Sequence, residues 1–277
     1  MNLFAHKDQL SPGHQKIADF IERHPEDMLF MTEQEIADRL GTSIATVSRF
    51  WRAVGYDNAK AFKIRLRTSE DTTPALKLNK TISRMDTDSL PVQLLEASVA
   101  HLQETLSHMK SGDLEQAAVL FSEARRVYVY APGPSAGLAE LLSFRLSRFG
   151  MTVVRLAGGG HELLETLMHM QKEDVVLLLC FTRLLPEAEV ILDYASNTGS
   201  QAVLVTDRED LLYGMGASIS FYVSRGELGE FHSMVTPLLL MEQMVLAVGL
   251  KQKEQALAQL ERLGELRSRY ADRLPRG

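Results

Sequence analysis

Hydroxyl and guanidinium side chains are concentrated in the stretch GTSIATVSRFWRAVGY, residues 41–56. Arginine can bind guanine O6 and N7 through two parallel hydrogen bonds, and serine or threonine hydroxyls suit phosphates and base edges. A helix that needed only to be soluble would more often carry glutamate and lysine. The stretch therefore predicts a surface for a negatively charged partner that accepts hydrogen bonds.

Basic side chains continue beyond this stretch. Seven of them lie in residues 39–67, offset only by Asp38 at the border and Asp57 within, although the whole chain has a net charge of −6. A local basic face on an acidic chain indicates a nucleic-acid-reading module joined to something else. We predict binding to double-stranded DNA, with these contacts: Thr42, Ser43, Ala45, Thr46, Ser48, Arg49, Arg52, Lys60, Lys63 and Arg65.

Short helices are predicted to position these residues. In MTEQEIADRLG, Thr32 and Glu35 have the spacing of a capping box, and Gly41 ends the helix. Thr42 or Ser43 opens the next helix after a short turn, which is a helix-turn-helix arrangement. This helix should close near residue 55, with a basic helix capped by Asp57 after it. Its predicted buried stripe is Ile44, Val47, Trp51 and Val54.

An ordinary solvated three-helix domain is the alternative interpretation of residues 1–77. The short turn, the placement of the hydroxyls and the basic helix that follows together favour the DNA-binding interpretation.

The rest of the chain changes character in two steps. A polar linker with Pro74 begins near residue 69, and a helical stretch follows at 90–123 with a break at 111–113. Short apolar runs then alternate with amphipathic segments, which predicts a mostly parallel, three-layer α/β sheet. The predicted organisation is an all-α domain, a connector and an α/β domain, at residues 1–77, 78–123 and 124–277.

Composition excludes several classes of protein. Cys180 is the one cysteine and lies in the apolar run VVLLLCF, so a disulfide framework and a cysteine-rich metal site are excluded. The histidines show no metal-ligand spacing, and neither a metal nor another cofactor is expected. The run is too short to span a membrane, and residues 1–10 show no signal-peptide pattern, so a cytoplasmic location without membrane contact is expected.

The N-terminal residues resemble those of the RpiR/MurR-type bacterial transcription regulators. The run IADRLGTSIATVSRFWRAVGYDNAKAFKIRL carries the resemblance, and KIADFI at 16–21 matches the first helix of that family. Trp51 departs from the pattern, because a smaller or polar residue is commoner there. The matching positions are Ser43, Thr46, Val47, Arg49, Phe50, Gly55 and Tyr56.

The resemblance implies a DNA-binding regulator, and repression is the expected direction. It also implies a doubly wound C-terminal domain of the sugar-isomerase (SIS) type, which binds phosphosugars. A Met- and Leu-rich stripe after residue 232 predicts a homodimer or homotetramer, and hence an operator with an inverted repeat. A ligand should lie beyond the carboxyl ends of strands 127–131 and 175–180.

The two ligand loops keep the family pattern unequally. The first loop, residues 131–135, keeps Gly133 and Ser135, and Ser135 would open a helix whose free N–H groups favour an anion. The second loop has Arg183 in place of a glycine and Leu185 in place of a threonine, while Thr182 keeps a hydroxyl. The family's usual glutamate is matched by Glu187.

Two interpretations of the altered second loop stay open. Either the ligand is not a sugar phosphate, with Arg183 binding a carboxylate, or the domain serves only to assemble the oligomer. His161 and Glu230 are further effector-binding candidates by resemblance. They could also form the acid/base pair of a sugar-phosphate isomerase, but the phosphate anchor is altered, so we expect no enzyme and no catalytic residue.

Overall fold

A computed structural model describes residues 10–23, 28, 31–68, 74–226 and 231–274, without the side chains of residues 22, 23, 64–68 and 74. The chain divides into two compact units after Met85. Phe231 belongs with the first unit, and residues 86–226 and 232–277 form the second. The predicted connector, residues 78–123, is therefore shared between the two units.

The first unit is helical. Its helices bury one apolar cluster, in which Ile17, Ile36, Val47 and Phe62 are almost completely enclosed. The helices are α1 (Pro12–Arg23), α2 (Glu33–Leu40), α3 (Ile44–Ala53), α4 (Ala59–Thr68) and α5 (Pro74–Ile82).

Helix caps fix the turn between α2 and α3. The Thr32 hydroxyl accepts from the Glu35 N–H at 3.2 Å, and the Glu35 carboxylate accepts from the Thr32 N–H at 2.6 Å, so the predicted capping box is confirmed. Gly41 ends α2 with φ +60°, which a side chain would disfavour. Ser43 caps α3 by accepting from the Thr46 N–H at 3.2 Å.

Two predictions about this unit were wrong in detail. Asn58, not Asp57, caps α4, because its side-chain oxygen accepts from the Ala61 N–H at 2.9 Å. Ile44 is 44% exposed, and Phe50 takes its place on the buried side of α3. Ile44 is the first residue of the helix, where the side chain lies beyond the edge of the core rather than over it.

The second unit begins with two helices and continues as an alternating α/β chain. The helices are α6 (Leu90–His108), α7 (Asp113–Glu123), α8 (Ala136–Ser147), α9 (His161–Leu167), α10 (Pro186–Thr198), α11 (Val235–Lys251) and α12 (Lys253–Arg269). The strands are β1 (Val127–Tyr130), β2 (Val153–Arg155), β3 (Val175–Cys180), β4 (Gln201–Thr206) and β5 (Ile219–Tyr222).

All five strands are parallel, in the order β2-β1-β3-β4-β5. Alternate residues of the central strands enter different cores. Leu177 packs with α7, α8 and α11 on one face, whereas Leu178 packs with α9 and α10 on the other. This is the predicted doubly wound, three-layer fold, and β3 reads as a continuous apolar run because both of its faces are buried. None of the helices in the described ranges is long and apolar enough to cross a membrane.

Candidate functional site

The predicted DNA contacts lie on and around α3. Exposed side chains among them are Ser43, Ala45, Arg49, Arg52 and Lys60, whereas Thr42, Thr46, Ser48 and Lys63 are half-buried. The side chain of Arg65 lies outside the described residues. The exposed set begins at the N-terminus of α3, where backbone N–H groups and the helix dipole favour a phosphate.

Local contacts restrain the hydroxyls at the start of α3. Ser43 Oγ and Thr46 Oγ1 lie 2.9 Å apart and share a hydrogen bond. A Cβ on Gly13 would lie 3.6 Å from the Thr46 methyl group, so α1 begins close to the same turn. Arg49 Nε donates to the Ala45 carbonyl at 3.0 Å, which directs the guanidinium back along the helix toward its N-terminus. These contacts restrain Arg49 and the hydroxyls of Ser43 and Thr46 near the N-terminal turns of α3.

Two lysines bind backbone carbonyls inside the first unit. Lys63 Nζ donates to the Met31 carbonyl at 2.6 Å, and Lys16 Nζ donates to the Leu40 carbonyl at 2.6 Å. Sequence reasoning assigned Lys63 to DNA and did not consider Lys16. An internal carbonyl partner leaves no trace in sequence composition, so these contacts could not be predicted.

The candidate ligand loops follow neighbouring strands of the sheet. Because β1 pairs with β3 in parallel, residues 131–135 and 181–187 leave the same edge of the sheet. The order of the strands reverses between β1 and β3, and a crevice opens at such a switch point in doubly wound folds. The fold therefore brings together Gly133, Ser135, Thr182, Arg183 and Glu187 at one edge.

The first loop offers fewer free N–H groups than the sequence suggested. Gly133–Ser135 form a turn of 3₁₀ helix, in which Gly133 has φ +59°. The Ser135 N–H donates to the Pro132 carbonyl at 3.4 Å, and the Ala136 N–H donates to Gly133. Pro134 has no N–H to donate. Because these amides are used within the turn or absent, the polar group that the loop offers is the Ser135 hydroxyl rather than a row of amides. Ser135 itself is 3% exposed.

The second loop contains a tight turn at Thr182. The Arg183 N–H donates to the Phe181 carbonyl at 2.7 Å, and Thr182 has φ +68°. A bond from residue i to i+2 with positive φ in the middle defines a γ-turn of the rare, strained kind. For a β-branched residue this backbone conformation is unfavourable and needs support from its surroundings.

The loop after β4 supplies that support. Asp207 Oδ1 accepts from the Thr182 N–H at 2.5 Å, and Arg208 Nη1 donates to the Thr182 carbonyl at 3.1 Å. Arg225 donates to the other Asp207 oxygen at 3.1 Å, and its guanidinium lies 4.2 Å from the centre of the Phe181 ring. Burial lowers the pKa of Arg225, whereas the Asp207 charge opposes that shift. The turn is thus held on both sides by charged groups.

Sequence reasoning missed Asp207, Arg208 and Arg225. Their signal was present, because Asp207 directly follows β4 and Arg225 comes three residues after β5. Charged residues directly after buried parallel strands lie at the ligand edge of the sheet. Their pairing with Thr182 required the fold.

Glu187 joins a third loop to the site. One of its carboxylate oxygens lies 3.7 Å from the position that a Cβ would take on Gly159. The pKa of Tyr130 rises to about 12, mainly through burial and next through the charge of Glu187. His161 is exposed at the first residue of α9, just after this loop. Tyr130, at the end of β1, was read only as a strand residue.

Two further polar residues precede α11 in the sequence. Glu230 lies outside the described residues. His232 is half-buried, and both of its ring nitrogens are inaccessible to solvent. Within the described ranges, no cluster of His, Cys, Asp or Glu has the arrangement of a metal site.

Comparison with known proteins identifies the N-terminal domain. Residues 2–72 match the helix-turn-helix domain of the rpiR family. An HTH-type transcriptional regulator of Haemophilus influenzae is 27% identical over 205 residues, which cover 71% of this chain and 69% of the relative. The bifunctional protein glk of Burkholderia thailandensis is 24% identical over 245 residues, or 88% of this chain, but the chain spans only 38% of its length.

Solved structures share the fold of this chain. The sugar isomerase domain of an RpiR transcription factor from Sphaerobacter thermophilus superposes with a TM-score of 0.58 at 23% identity, covering 64% of this chain and 99% of that one. The NanR protein of Vibrio vulnificus, complexed with ManNAc-6P, gives a TM-score of 0.58 at 20% identity and covers 96% of both chains. The predicted resemblance and fold class, with a helix-turn-helix domain and an SIS-like domain, are confirmed.

Proposed function

We propose that this chain, which carries a helix-turn-helix domain of the rpiR family, is a transcriptional regulator that represses by binding duplex DNA. The observation that carries the proposal is the outer side of α3, where Ser43 at the helix N-terminus, Arg49 and, in the last turn, Arg52 are exposed. Phosphate contacts would fix the orientation of α3 in the major groove, and the arginines would contact base edges.

The SIS-like domain is proposed to sense a small anionic metabolite. Support comes from the polar groups that meet at the switch point: the Ser135 hydroxyl, the Thr182 turn and the exposed Arg183. No chemical step is proposed, because the loop keeps too few hydroxyl and amide donors to anchor a sugar phosphate for isomerisation.

The ligand class follows from what the second loop offers. NanR was solved with ManNAc-6P, and a phosphosugar is one candidate for this chain. We favour a carboxylate, because Asp207 already binds the Thr182 N–H and would repel a doubly charged phosphate more strongly than a singly charged carboxylate. Arg183 could hold a planar carboxylate through two parallel hydrogen bonds.

The regulator is further proposed to act as a homo-oligomer. Helix α11 carries a row of exposed apolar side chains, and Leu246 and Leu250 are 66% and 79% exposed. Exposed apolar rows of this kind mark surfaces for association. A two-fold dimer would present two α3 helices to an inverted repeat.

Selection from a random duplex library tests the DNA-binding proposal without knowledge of the operator. We expect the full chain to enrich one sequence with inverted symmetry. Enrichment that does not converge on any sequence would contradict sequence-specific binding. A library selected with the Arg49→Ala variant serves as the matched control.

A further inference from the structure

A continuous set of contacts joins the Thr182 turn to helix α6. Asp207 accepts from the Thr182 N–H at 2.5 Å and from Arg225 at 3.1 Å. Ser224, the neighbour of Arg225 in the chain, donates to the Glu104 carboxylate at 2.5 Å. These five residues, Thr182, Asp207, Arg225, Ser224 and Glu104, are called the relay.

The α6 end of the relay is held at several points. The Ser224 N–H donates to Thr105 Oγ1 at 2.8 Å, and Ser224 Oγ lies 3.0 Å from His101 Nδ1. Tyr222, the last residue of β5, donates from its hydroxyl to Glu104 at 3.1 Å. Helix α6 is therefore bound to the end of β5 by hydrogen bonds to one turn of the helix.

The other end of the relay is buried and charged. Arg225 is 7% exposed, and the side chain of Asp207 is 9% exposed. Arg225 also donates from Nε to the Ser233 carbonyl at 3.2 Å, just before α11. A buried ion pair holds its geometry strongly, because removing one partner leaves the other charge without compensation in a low-dielectric surrounding.

We infer that the relay transmits the state of the Thr182 turn to α6, so that an anion bound at residues 181–187 changes the position or stability of this helix. An anion at the turn competes with Asp207 for the Thr182 N–H and for Arg225. Any shift of Arg225 moves Ser224, to which it is covalently joined, and so alters the bonds to Glu104 and Thr105.

This inference rests on the proposed function for its biological meaning. Helix α6 is the first helix after the division at Met85, so the chain that leads into it comes from the DNA-binding unit. The relay thus assigns a regulatory role to Asp207, Arg225, Ser224 and Glu104, none of which the sequence patterns single out.

Hydrogen–deuterium exchange of the full chain tests the coupling without ligand or DNA. We expect Asp207→Asn to raise the exchange rates of α6 amides around residues 101–108 by about threefold or more, the scale of coupling within packed networks. On a Ser224→Ala background, Asp207→Asn should have a smaller effect, because the side-chain bond to Glu104 is already broken and only the Ser224 N–H bond to Thr105 remains. Non-additivity of this kind is the signature of residues that act through one another.

Asp174→Asn is the matched control. Asp174 is a completely buried carboxylate paired with Arg125 at 2.6 Å, but it precedes β3 and so lies at the opposite edge of the sheet. Its replacement should leave α6 exchange unchanged. Equal exchange of α6 in wild type and Asp207→Asn would overturn the inference. So would an equal rise in Asp174→Asn, or an undiminished effect of Asp207→Asn in the Ser224→Ala background.

Should Asp207→Asn fail to fold, Arg225→Lys makes the same comparison, because it keeps the charge and removes the planar guanidinium. A ligand arm uses citrate and ManNAc-6P as probes. If neither probe binds, the proposed sensing of these ligand classes fails, while the coupling is still decided by the variants. If a probe binds, it should change α6 exchange more in the wild type than in Ser224→Ala.

Discussion

Asp207 binds the N–H of Thr182 at 2.5 Å and so joins the end of β4 to the loop that follows β3. This bond holds a β-branched residue at φ +68°. In the regulator family that the sequence resembles, the loop after β3 is the place where a phosphate is bound. In this chain an internal carboxylate already binds one amide of that loop.

Cys180 gives a direct measure of the opening of this region. Burial raises the pKa of its thiol to about 12, and its side chain is 2% exposed. Because only the thiolate reacts, a thiol with a raised pKa stays protonated and inert at pH 8. We expect negligible labelling by an aromatic disulfide reagent in the native chain and complete labelling in urea. Rapid labelling of the folded chain would contradict the buried position.

Thr182→Gly should stabilise the second unit. A residue in a strained backbone conformation destabilises the folded state by about 1–3 kcal/mol, and glycine removes that strain. Glycine also makes the unfolded chain more flexible, which lowers the free energy of unfolding by about 0.5–1 kcal/mol. The expected net gain is about 1 kcal/mol, seen as a higher urea midpoint for Cys180 labelling. Thr182→Ala keeps the strain and is the control. A glycine variant less stable than the alanine variant would show that the turn is not strained.

The fold followed from the sequence because each element carries a local signal. The strand β3 is a run of apolar residues between polar turns, and Gly41 and the Thr32 capping box mark helix ends directly. Hydrophobic period and caps act within a few residues, so they can be read without knowing the tertiary structure. Ile44 shows the limit, because burial at the first residue of a helix depends on the neighbouring helix.

Only part of the candidate ligand site could be predicted from the sequence. The positions of the loops followed from the strand order. The group that binds the Thr182 N–H, however, is the carboxylate of Asp207, which lies 25 positions later in the chain. A side chain that binds a backbone N–H in another loop has no sequence pattern. The same holds for Lys63 and its bond to the Met31 carbonyl, which links residues 32 positions apart.

Arg49→Ala should weaken binding to the selected operator by about 1–3 kcal/mol if the guanidinium contacts a base. The exposed Arg145, in the second unit, is the control, and Arg145→Ala should bind as the wild type does. Fluorescence anisotropy at fixed salt measures both. Full operator affinity of a folded Arg49→Ala variant would show that Arg49 is not a contact.

Lys60 and Lys63 should differ although both are lysines of α4. Lys60 is exposed, so Lys60→Ala should reduce the salt dependence of DNA binding by about one phosphate contact. Lys63 binds the Met31 carbonyl, so Lys63→Ala should also lower the melting temperature of the first unit. Equal melting temperatures for the two variants would mean that the Met31 contact adds no stability.

Association through α11 predicts that a charge on its exposed row disrupts the oligomer. Leu250→Glu replaces a side chain that is 79% exposed, so it should not disturb the core. Light scattering at micromolar concentration should show a dimer or tetramer for the wild type and a smaller species for the variant. Met168→Glu, at a position after α9 that is 66% exposed, is the control. A monomeric wild type would exclude the proposed homo-oligomer.

A thermal-shift screen of phosphosugars against small carboxylic and amino acids addresses the ligand class. A carboxylate held by Arg183 gains a charged hydrogen bond worth about 1.5–3 kcal/mol, so Arg183→Ala should weaken it about tenfold or more. Ligand binding at 100 times Kd stabilises the folded state by about 2.7 kcal/mol, which a melting curve detects. A phosphate gains less, because its second negative charge is repelled by Asp207 at the Thr182 amide.

The expected outcome of the screen is therefore a shift with a carboxylate that Arg183→Ala removes while DNA binding persists. Arg145→Ala should keep the full shift. No shift with any compound would favour an SIS-like domain that only assembles the oligomer. A structure with a hexose phosphate on Ser135 and Thr182, and with Arg183 turned to solvent, would overturn the carboxylate assignment. In that case the relay predicts that Asp207 has released the Thr182 amide, because two anions that share one N–H repel each other strongly at hydrogen-bond distance.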